Sequence, residues 1–499
     1  MDGRCFTRRF AFVAGVFVAA PLPRLVPYVV LIPLFQNSES FVMPNRSNAR
    51  RRPESCVSRR AFVTGGLGLG AVAVTGCSEP DETSSGTASS VRTDVPLRVV
   101  WVGHDDPSEV LQRNWGAVAE VPLKVQWVRR DEQSITELGP TVLAASRRAD
   151  VLVVPLLCVA DLYAGDLISE IQDAWQANLN ESLGPVLTSL RVGAASYAAS
   201  DFAVPLGSDV PVLMVDVATD PIENWDAFSD YASQHANRVA EPIGRGQCGE
   251  SYLRRIAGTV EANWLFDRET FQPTIDSDVC TAALESMKAA AQHYAKPTLT
   301  AREIGMAIAE GTLDGGIGVL PASAGDTSSL DLRPLPSTVS DLMQSDGDQT
   351  VSSDVGPTLL SPWTSLGILP KSCRQSKSAK QFLQWLAGGE GIGSVRNQLA
   401  GLDVTRIANS IDGGESLPDP YQQIRRDQLS SAIVRPTTQL IQGCAYYDAL
   451  DASIHACVAG DTKPAQALAT VAATWSALTE AIGVEKQIRA WRRSQGRRI

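Results

Sequence analysis

The sequence has little of what marks an enzyme. Only four histidines occur among 499 residues, and they are scattered without the spacing of metal ligands, which argues against a zinc site. The sequence contains no Gly-x-Ser-x-Gly elbow, no phosphate-binding loop ending in Gly-Lys-Ser/Thr and no His-Glu-x-x-His pair. We therefore expect no catalysis, no metal and no cofactor, although a nucleophile and a base could still assemble from distant parts of the chain.

Positive charge is scarce outside the N-terminal region. Residues 1–76 hold 10 of the 44 lysines and arginines and 3 of the 55 acidic residues, so the rest of the chain has 34 against 52, a net charge of −18. A surface of that sign repels phosphate backbones, which argues against a nucleic-acid partner. The composition is otherwise globular, 44% apolar and 20% charged, and the length allows two or three domains of about 150 residues each.

A pattern typical of an export signal stands where the positive charge is concentrated. Arg59 and Arg60 precede a glycine-rich apolar segment from Phe62 to Val74, and small residues lead up to Cys77. The pattern resembles a twin-arginine signal joined to a bacterial lipoprotein signal, in which the cysteine is acylated and becomes the N-terminus, although Leu is usual where Val74 stands. A membrane-spanning anchor is the alternative, but the segment is shorter than the roughly 20 apolar residues that cross a bilayer.

Two further segments flank this signal. Residues 1–42 contain a second apolar stretch behind an earlier arginine pair, and two consecutive export signals make little physical sense. We interpret Met43 as the true start, so that residues 43–76 form the signal; a real membrane segment in 1–42 is the alternative. Residues 77–96 are rich in Ser, Thr, Asp and Glu, which is typical of a flexible tether.

The cysteines beyond Cys77 do not have the spacing of a dense disulfide framework. Six remain, an even number that permits disulfides in an exported protein. Cys444 and Cys457 are the most tempting pair, but a single helix carrying both would place them roughly 20 Å apart, at about 1.5 Å per residue. We expect mostly free, buried thiols.

The folded part begins with alternating strands and helices. Two β-rich runs, 97–102 and 123–128, flank a helical pattern, and a third run, 150–155, is almost entirely apolar. This spacing predicts a βαβ unit, and a continuous apolar run is typical of a strand buried on both faces of a parallel sheet. Toward the C-terminus, Ser378 is predicted to cap one helix and Pro464 to begin another.

Six segments in this order resemble the extracellular solute-binding proteins of ABC importers, in particular the group that includes maltose-binding protein. The segments are ADVLVVP…ADLYAGDLISEI, FAVPLGSDVPVLMVD, NWDAFSDYA, AIAEGTLDGGIGVLPAS, SLGILPKSCRQSKSAKQFLQWLAGGEG and AGDTKPAQALATVAATW. Each is weak alone, but together they cover about 390 residues, from Leu97 to about Ile488.

The resemblance implies an α/β fold of two lobes, the type II-like periplasmic-binding-protein fold, with a ligand cleft between them. Residues 97–207 and 325–400 are expected to form lobe I, and residues 208–324 and 401–490 to form lobe II. Residues 491–499 are a basic tail without an evident purpose.

Candidate ligand contacts lie where strands end, because open α/β sheets bind ligands outside the carboxyl ends of their strands. His104 and Asp105 follow the first strand and carry groups that can hydrogen-bond sugar hydroxyls; a helix N-cap is the alternative role for Asp105. The resemblance implies a ligand contact for Asp209, in the crossover between the lobes.

The resemblance also brings lobe II residues to the cleft. The segment EPIGRGQCGESYLRRIAG implies that Arg245, Gln247 and Tyr252 lie near the ligand. Counting back from AGDTKP puts the family's cleft aromatic at Tyr447, and Trp363, before SLGIL, is a further candidate. Packing in the core is the alternative for each aromatic residue.

The function that the resemblance implies is capture of a small solute, a carbohydrate, and its delivery to an ABC transporter permease. The expected protein is a monomer outside the cytoplasm, periplasmic or otherwise extracytoplasmic, held at the membrane by a lipid on Cys77. Two alternatives stay open: a receptor whose closure is read by a signalling partner, and a hydrolase on the same scaffold.

Overall fold

The computed structural model describes residues 94–130, 134–258, 264–321, 329–336, 358–407, 420–431 and 433–497, all within one compact unit that runs from Ser85 to Ile499. The proposed start at Met43, the signal, Cys77 and most of the tether lie outside the described residues and stay predictions.

The strands form two principal sheets. The strands are β1 (Leu97–Gly103), β2 (Leu123–Arg129), β3 (Val151–Pro155), β4 (Ser196–Tyr197), β5 (Ser200–Asp201), β6 (Ala203–Gly207), β7 (Val212–Asp216), β8 (Val239–Ala240), β9 (Gly315–Gly318), β10 (Leu330–Arg333), β11 (Thr358–Leu359), β12 (Ser365–Ile368) and β13 (Val434–Arg435). The first sheet has the order β2-β1-β3-β12-β6 and the second the order β10-β7-β9-β8. β4 pairs with β5, and β11 with β13.

Helices connect and cover these strands. The helices are α1 (Ser108–Gly116), α2 (Ile135–Ser146), α3 (Val159–Ala164), α4 (Asp173–Leu183), α5 (Thr188–Leu190), α6 (Trp225–Gln234), α7 (Cys248–Ile256), α8 (Asp278–Ala291), α9 (Ala301–Ala309), α10 (Ser376–Gly388), α11 (Ile392–Arg396), α12 (Pro420–Leu429), α13 (Gly443–Ala459), α14 (Pro464–Ile482) and α15 (Val484–Ser494). A 3-10 turn covers Leu156–Cys158 and a π-helical turn covers Arg191–Ala195.

The first sheet confirms the predicted βαβ unit. β1 runs parallel to β2 and to β3, and α1 connects β1 to β2. Every residue of β3 is buried, as the apolar run predicted, because β3 lies inside the sheet between β1 and β12. β12 returns late in the sequence and pairs antiparallel with both β3 and β6.

The second sheet begins directly after the first. The chain leaves β6 at Gly207 and enters β7 at Val212, and β7 pairs antiparallel with β9. The close packing of α9 on β9 needs a glycine at Gly318, where a Cβ would lie 2.6 Å from the carbonyl oxygen of Ala301. β10 pairs with β7 in this sheet, whereas the resemblance predicts that residues 325–400 belong to lobe I. The remaining division into lobes stays a prediction.

Two helix starts test the capping predictions. Pro464 is the first residue of α14, as predicted, because its fixed φ suits the first helical turn. The cap at Ser378 is wrong: α10 begins at Ser376 after Gln375, and Ser378 lies buried inside the helix. Ser378 is therefore held by packing rather than by a capping hydrogen bond. α15 ends at Ser494, so the predicted basic tail begins as helix.

Helix α13 lies between two hydrophobic cores. Tyr447 belongs to a core with the residues around β3 and α2, while the adjacent Tyr446 packs with α7, α8 and α14. The same helix carries Cys444 and Cys457. The six cysteines of the described residues are free thiols and five of them are buried, as expected. α13 therefore joins the first sheet to the helices beside the second.

No single helix of the described residues is long and apolar enough to cross a membrane. α14 and α15 meet that test only as a pair, and they meet at a bend of 107°.

Candidate functional site

Polar and aromatic residues lie along one edge of the first sheet. The register pairs Gly103 with Arg129, and Ser365 with both Pro155 and Gly207, so β1, β2, β3 and β6 end at the edge where β12 begins. The residues next to these strand ends include His104, Asp105, Arg130, Asp209 and Trp363. This edge is where an open α/β sheet binds ligands.

The second sheet has a corresponding edge. β8 and β9 run parallel, and Val212 at the start of β7 pairs with Gly318 at the end of β9. The loop 241–247 follows β8 and carries Arg245 and Gln247. Because residues 208–211 alone connect β6 to β7, the edges of the two sheets are close neighbours.

The two edges meet at the backbone carbonyl of Gly246. Its oxygen accepts hydrogen bonds from Trp363 Nε1 at 2.9 Å and from the Tyr447 hydroxyl at 3.0 Å. The two rings pack edge to face with centroids 5.5 Å apart, and the Arg130 guanidinium lies 3.8 Å from the centre of the Trp363 ring. We call this group, Arg130, Gly246, Trp363 and Tyr447, the joint. It fixes the loop 241–247 against the first sheet.

Helix α13 holds the same loop through charge. Arg245 pairs with Asp448 at 2.7 Å and also with Asp451, whose carboxylate accepts the backbone N–H groups of Gly246 at 2.7 Å and Gly249 at 2.9 Å. Burial alone would lower the pKa of Arg245, but the two carboxylates outweigh it and raise that pKa. Burial also raises the pKa of Asp451, against the opposing effect of its hydrogen bonds. The predicted ligand residue Arg245 is thus held by two carboxylates of α13.

Asp209 occupies a more open position. Its carboxylate lies 3.3 Å from Arg302 Nη2, and the two side chains are 33% and 31% exposed. Its backbone carbonyl accepts a hydrogen bond from Arg254 Nη2 at 3.4 Å. A carboxylate held in this way keeps lone pairs directed toward solvent, where it can accept hydroxyl groups.

The other polar candidates lie at the same edges. His104 and Asp105 are exposed. Asp105 does not cap α1, because Pro107 precedes that helix and Asp106 accepts the N–H of Ser108 at 2.9 Å. Gln247 Oε1 accepts the N–H of Ala301 at 3.3 Å and so connects the start of α7 to the start of α9.

The aromatic candidates are buried. Tyr252 and Tyr447 have no exposed surface, and Trp363 is 8% exposed. The Tyr252 hydroxyl donates to the carbonyl of Cys280 at 2.9 Å, on the side of α7 that faces α8. The structure therefore brings Trp363 and Tyr447 together at the joint and places Tyr252 in the core; whether any of the three contacts ligand stays a prediction.

Two arginines of this region, Arg130 and Arg302, are not among the residues that the sequence predicts at the site. Arg130 follows β2 as His104 follows β1, so the rule about strand ends could have found it. Arg302 lies in the first turn of α9, 93 residues after the Asp209 that it pairs with, and no sequence signal connects the two.

The arrangement suits hydrogen bonding to a polar solute. Carboxylate, imidazole and amide groups lie along the two edges, and each can bind a hydroxyl. The described residues contain no group of three or more His, Cys, Asp or Glu side chains that could hold a metal ion.

Sequence comparison finds no protein-family model and no curated protein that matches the chain. Solved structures do match. Maltose-bound MalE3 of T. maritima superposes with a TM-score of 0.57 at 14% identity, over 77% of this chain and 99% of that one. A solute-binding protein of an ABC transporter from Agrobacterium radiobacter K84, in complex with ribitol, gives 0.56 at 12% identity over 77% and 99%.

A third structure agrees with these two. The GacH receptor of Streptomyces glaucescens GLA.O, solved unliganded and with acarbose, gives a TM-score of 0.54 at 14% identity over 78% of this chain and 99% of that one. At such identities the likeness shows the fold, and it spans almost the whole of each related chain. The described unit of this protein has the two-lobed α/β fold of the ABC-transporter solute-binding proteins.

Proposed function

We propose that the protein is an extracytoplasmic solute-binding protein that captures a small carbohydrate or polyol and delivers it to an ABC permease. The observation that carries the proposal is the meeting of two sheet edges, with His104, Asp105 and Asp209 at the strand ends of one and the loop 241–247 on the other. The related structures were solved with maltose, ribitol or acarbose, all of them rich in hydroxyl groups.

Ligand capture proceeds by closure of the two lobes. A solute that contacts both edges favours the closed form by the free energy of its additional contacts, and the permease then recognises that form. His104 supplies hydrogen bonds from the first sheet, Asp209 supplies them from the crossover between the sheets, and Arg245 and Gln247 supply them from the second sheet. For Trp363 to meet a sugar ring, its hydrogen bond to Gly246 has to break, which separation of the edges would accomplish. Tyr447 lies on α13, which also holds the loop 241–247 through Asp448 and Asp451, so its bond to Gly246 does not depend on that separation.

Export and anchoring complete the proposal. A lipid on Cys77 would hold the monomeric protein at the outer face of the membrane, with residues 77–96 as the tether. Changing Cys77→Ser should release the protein from membranes. A variant that stays membrane-bound with residues 58–76 removed would contradict acylation at Cys77.

A thermal-shift screen of monosaccharides, oligosaccharides and polyols tests the binding function. A ligand present at 100 times its Kd stabilises the folded state by about 2.7 kcal/mol, which is readily measured as a rise in Tm. The ligand is expected to be recovered chemically unchanged after incubation. Recovery of a cleaved product would favour the hydrolase, and a screen without any stabilising carbohydrate or polyol would contradict the proposal.

A further inference from the structure

A cavity lies beside the C-terminal helix α15, away from the joint. Its volume is about 280 Å³, just below the roughly 300–1,000 Å³ typical of small-molecule pockets. It lies between the π-helical turn, β13 and α15. The lining residues are Val192, Gly193, Trp264, Phe266, Arg268, Val434, Arg435, Pro436, Trp491, Ser494 and Gln495.

The aromatic wall of this cavity is held in place. Trp264 Nε1 donates to the carbonyl of Pro436 at 2.6 Å, which fixes the indole ring. Phe266 packs edge to face on Trp491 with centroids 5.3 Å apart, and stacks on Trp475 at 5.1 Å. The wall thus presents a preformed apolar surface, which costs little conformational entropy when a ligand binds.

The charge of the cavity is opposite to that of the protein. Arg268 and Arg435 line it, and none of the described lining residues is acidic, although the chain as a whole has a net charge of −11. Arg435 donates through Nε to the carbonyl of Ala257 at 3.3 Å, and its guanidinium lies 5.5 Å from the Trp264 ring. The neighbouring Asp267 accepts the N–H groups of residues 269 and 270 through Oδ1, so that this oxygen is engaged in its own turn.

We propose that this cavity binds the phosphate group of a small phosphate ester of a sugar or polyol. The planar guanidinium groups of Arg268 and Arg435 match the geometry of phosphate oxygens, and charge-assisted bonds of this kind are about twice as strong as neutral ones. The aromatic wall covers the apolar side of the ester, and Gln495 offers groups for its hydroxyls. The Ser494 hydroxyl donates to the Trp491 carbonyl at 2.8 Å and keeps its acceptor capacity.

The site is separate from the proposed solute site. None of its lining residues belongs to the joint or to the strand ends that carry His104 and Asp209. α15 lines the cavity and also contacts the first lobe, where Ala198 donates its N–H to the Arg493 carbonyl at 3.0 Å. An occupant of the cavity therefore touches a helix that connects both halves of the molecule.

Isothermal titration calorimetry of the purified protein with glucose 6-phosphate tests the proposal. Glucose 6-phosphate is expected to bind, and both Arg268→Gln and Arg435→Gln to weaken that binding at least about tenfold, because each removes a charge-assisted bond. Arg147→Gln, which changes an exposed arginine at the end of α2, is the matched control and should leave the affinity unaltered. The Tm of each variant identifies any loss of folding.

The outcome separates the two sites. Asp209→Asn should leave glucose 6-phosphate binding intact. If glucose 6-phosphate fails to bind at millimolar concentration, or if Asp209→Asn abolishes its binding while both arginine variants keep it, the cavity is not a phosphate site, and the proposed function of the cleft is unaffected.

The same phosphate chemistry occurs in lipid headgroups. Sedimentation of the Cys77→Ser protein with phosphatidylglycerol vesicles distinguishes a lipid headgroup from a free phosphate ester as the occupant of the cavity. Sedimentation that glucose 6-phosphate reverses, and that Arg268→Gln weakens, identifies a headgroup as the occupant. Protein that binds glucose 6-phosphate in solution yet stays in the supernatant identifies a free ester.

Discussion

The polar and the aromatic residues near the two sheet edges differ in what they contact. Asp209 and His104 lie at strand ends with part of their surface exposed, whereas Trp363 and Tyr447 are buried and donate to one backbone carbonyl. The difference indicates that the two groups of residues have different roles. The polar residues are accessible to a solute, and the aromatic residues hold the two edges together.

The largest expected effect is a loss of stability when the buried aromatic residue Tyr447 is replaced. Tyr447→Ala removes a fully buried ring from the core, and we expect a loss of about 3–5 kcal/mol in the free energy of unfolding, as for other buried aromatic residues. Urea unfolding measures it. Tyr447→Phe is the control, since it removes only the hydroxyl bond to Gly246 and should cost about 1 kcal/mol. A Tyr447→Ala protein as stable as the wild type would show that Tyr447 does not support the fold.

The buried carboxyl group of Asp161 should make the free energy of unfolding depend on pH. Asp161 in α3 is 7% exposed and accepts the N–H of Gln442 at 2.7 Å, just before α13, and burial raises its pKa from 3.8 to about 6. Between these two values the unfolded chain has released the proton that the folded protein keeps. The free energy of unfolding should therefore fall as the pH rises from about 4 to about 6, by up to about 3 kcal/mol at 1.36 kcal/mol per pKa unit.

Asp161→Asn should remove this decrease in the free energy of unfolding with rising pH. The variant keeps an oxygen to accept the N–H of Gln442 and carries no charge, so it should be more stable than the wild type at pH 7 and similar to it near pH 4. Urea unfolding at both pH values measures the difference. An equal difference between variant and wild type at both values would show that Asp161 does not titrate in this range.

A smaller effect, on carbohydrate affinity, is expected for the exposed polar residue Asp209. Asp209→Asn should weaken carbohydrate binding about tenfold, which corresponds to about 1.4 kcal/mol, because a charge-assisted bond to a hydroxyl becomes a neutral one. The Tm of the ligand-free variant should hardly change, since Asp209 is a third exposed and its pairing with Arg302 is near the surface. Calorimetry that finds unaltered affinity would remove Asp209 from the site.

The smallest effect is expected for Tyr252, and it distinguishes a role in the core from a role in ligand binding. Tyr252→Phe removes the hydroxyl that donates to Cys280 and should cost about 1 kcal/mol of stability. Carbohydrate affinity should stay the same, because the ring lies in the core. Weaker binding together with an unaltered Tm would instead place Tyr252 at the ligand, as the family resemblance implies.

Much of the fold follows from local patterns, and much of the joint does not. The apolar run of β3 and the strand and helix spacing of β1, α1 and β2 are read directly from neighbouring residues. The contact of Tyr447 with Gly246 joins residues 201 positions apart, and no local pattern encodes it. The residue type did not decide the role of Tyr447 either, because a tyrosine serves a core and a sugar site equally well.

The misplaced elements have similar causes. Ser378 is a good capping residue by type, but the apolar face of α10 extends the helix to Ser376 and takes Ser378 into the core. β10 lies in the second sheet because it pairs with β7, 114 residues earlier, and lobe bounds taken from the family resemblance did not include that pairing. Tertiary packing decided both.

A crystal structure of the protein with the carbohydrate that stabilises it most in the thermal-shift screen tests the central proposal most directly. We predict that the sugar lies between the ends of β1 and β6 and the loop 241–247, with a hydroxyl about 2.7 Å from a carboxylate oxygen of Asp209. A sugar found elsewhere, without contact to either sheet edge, would contradict the account.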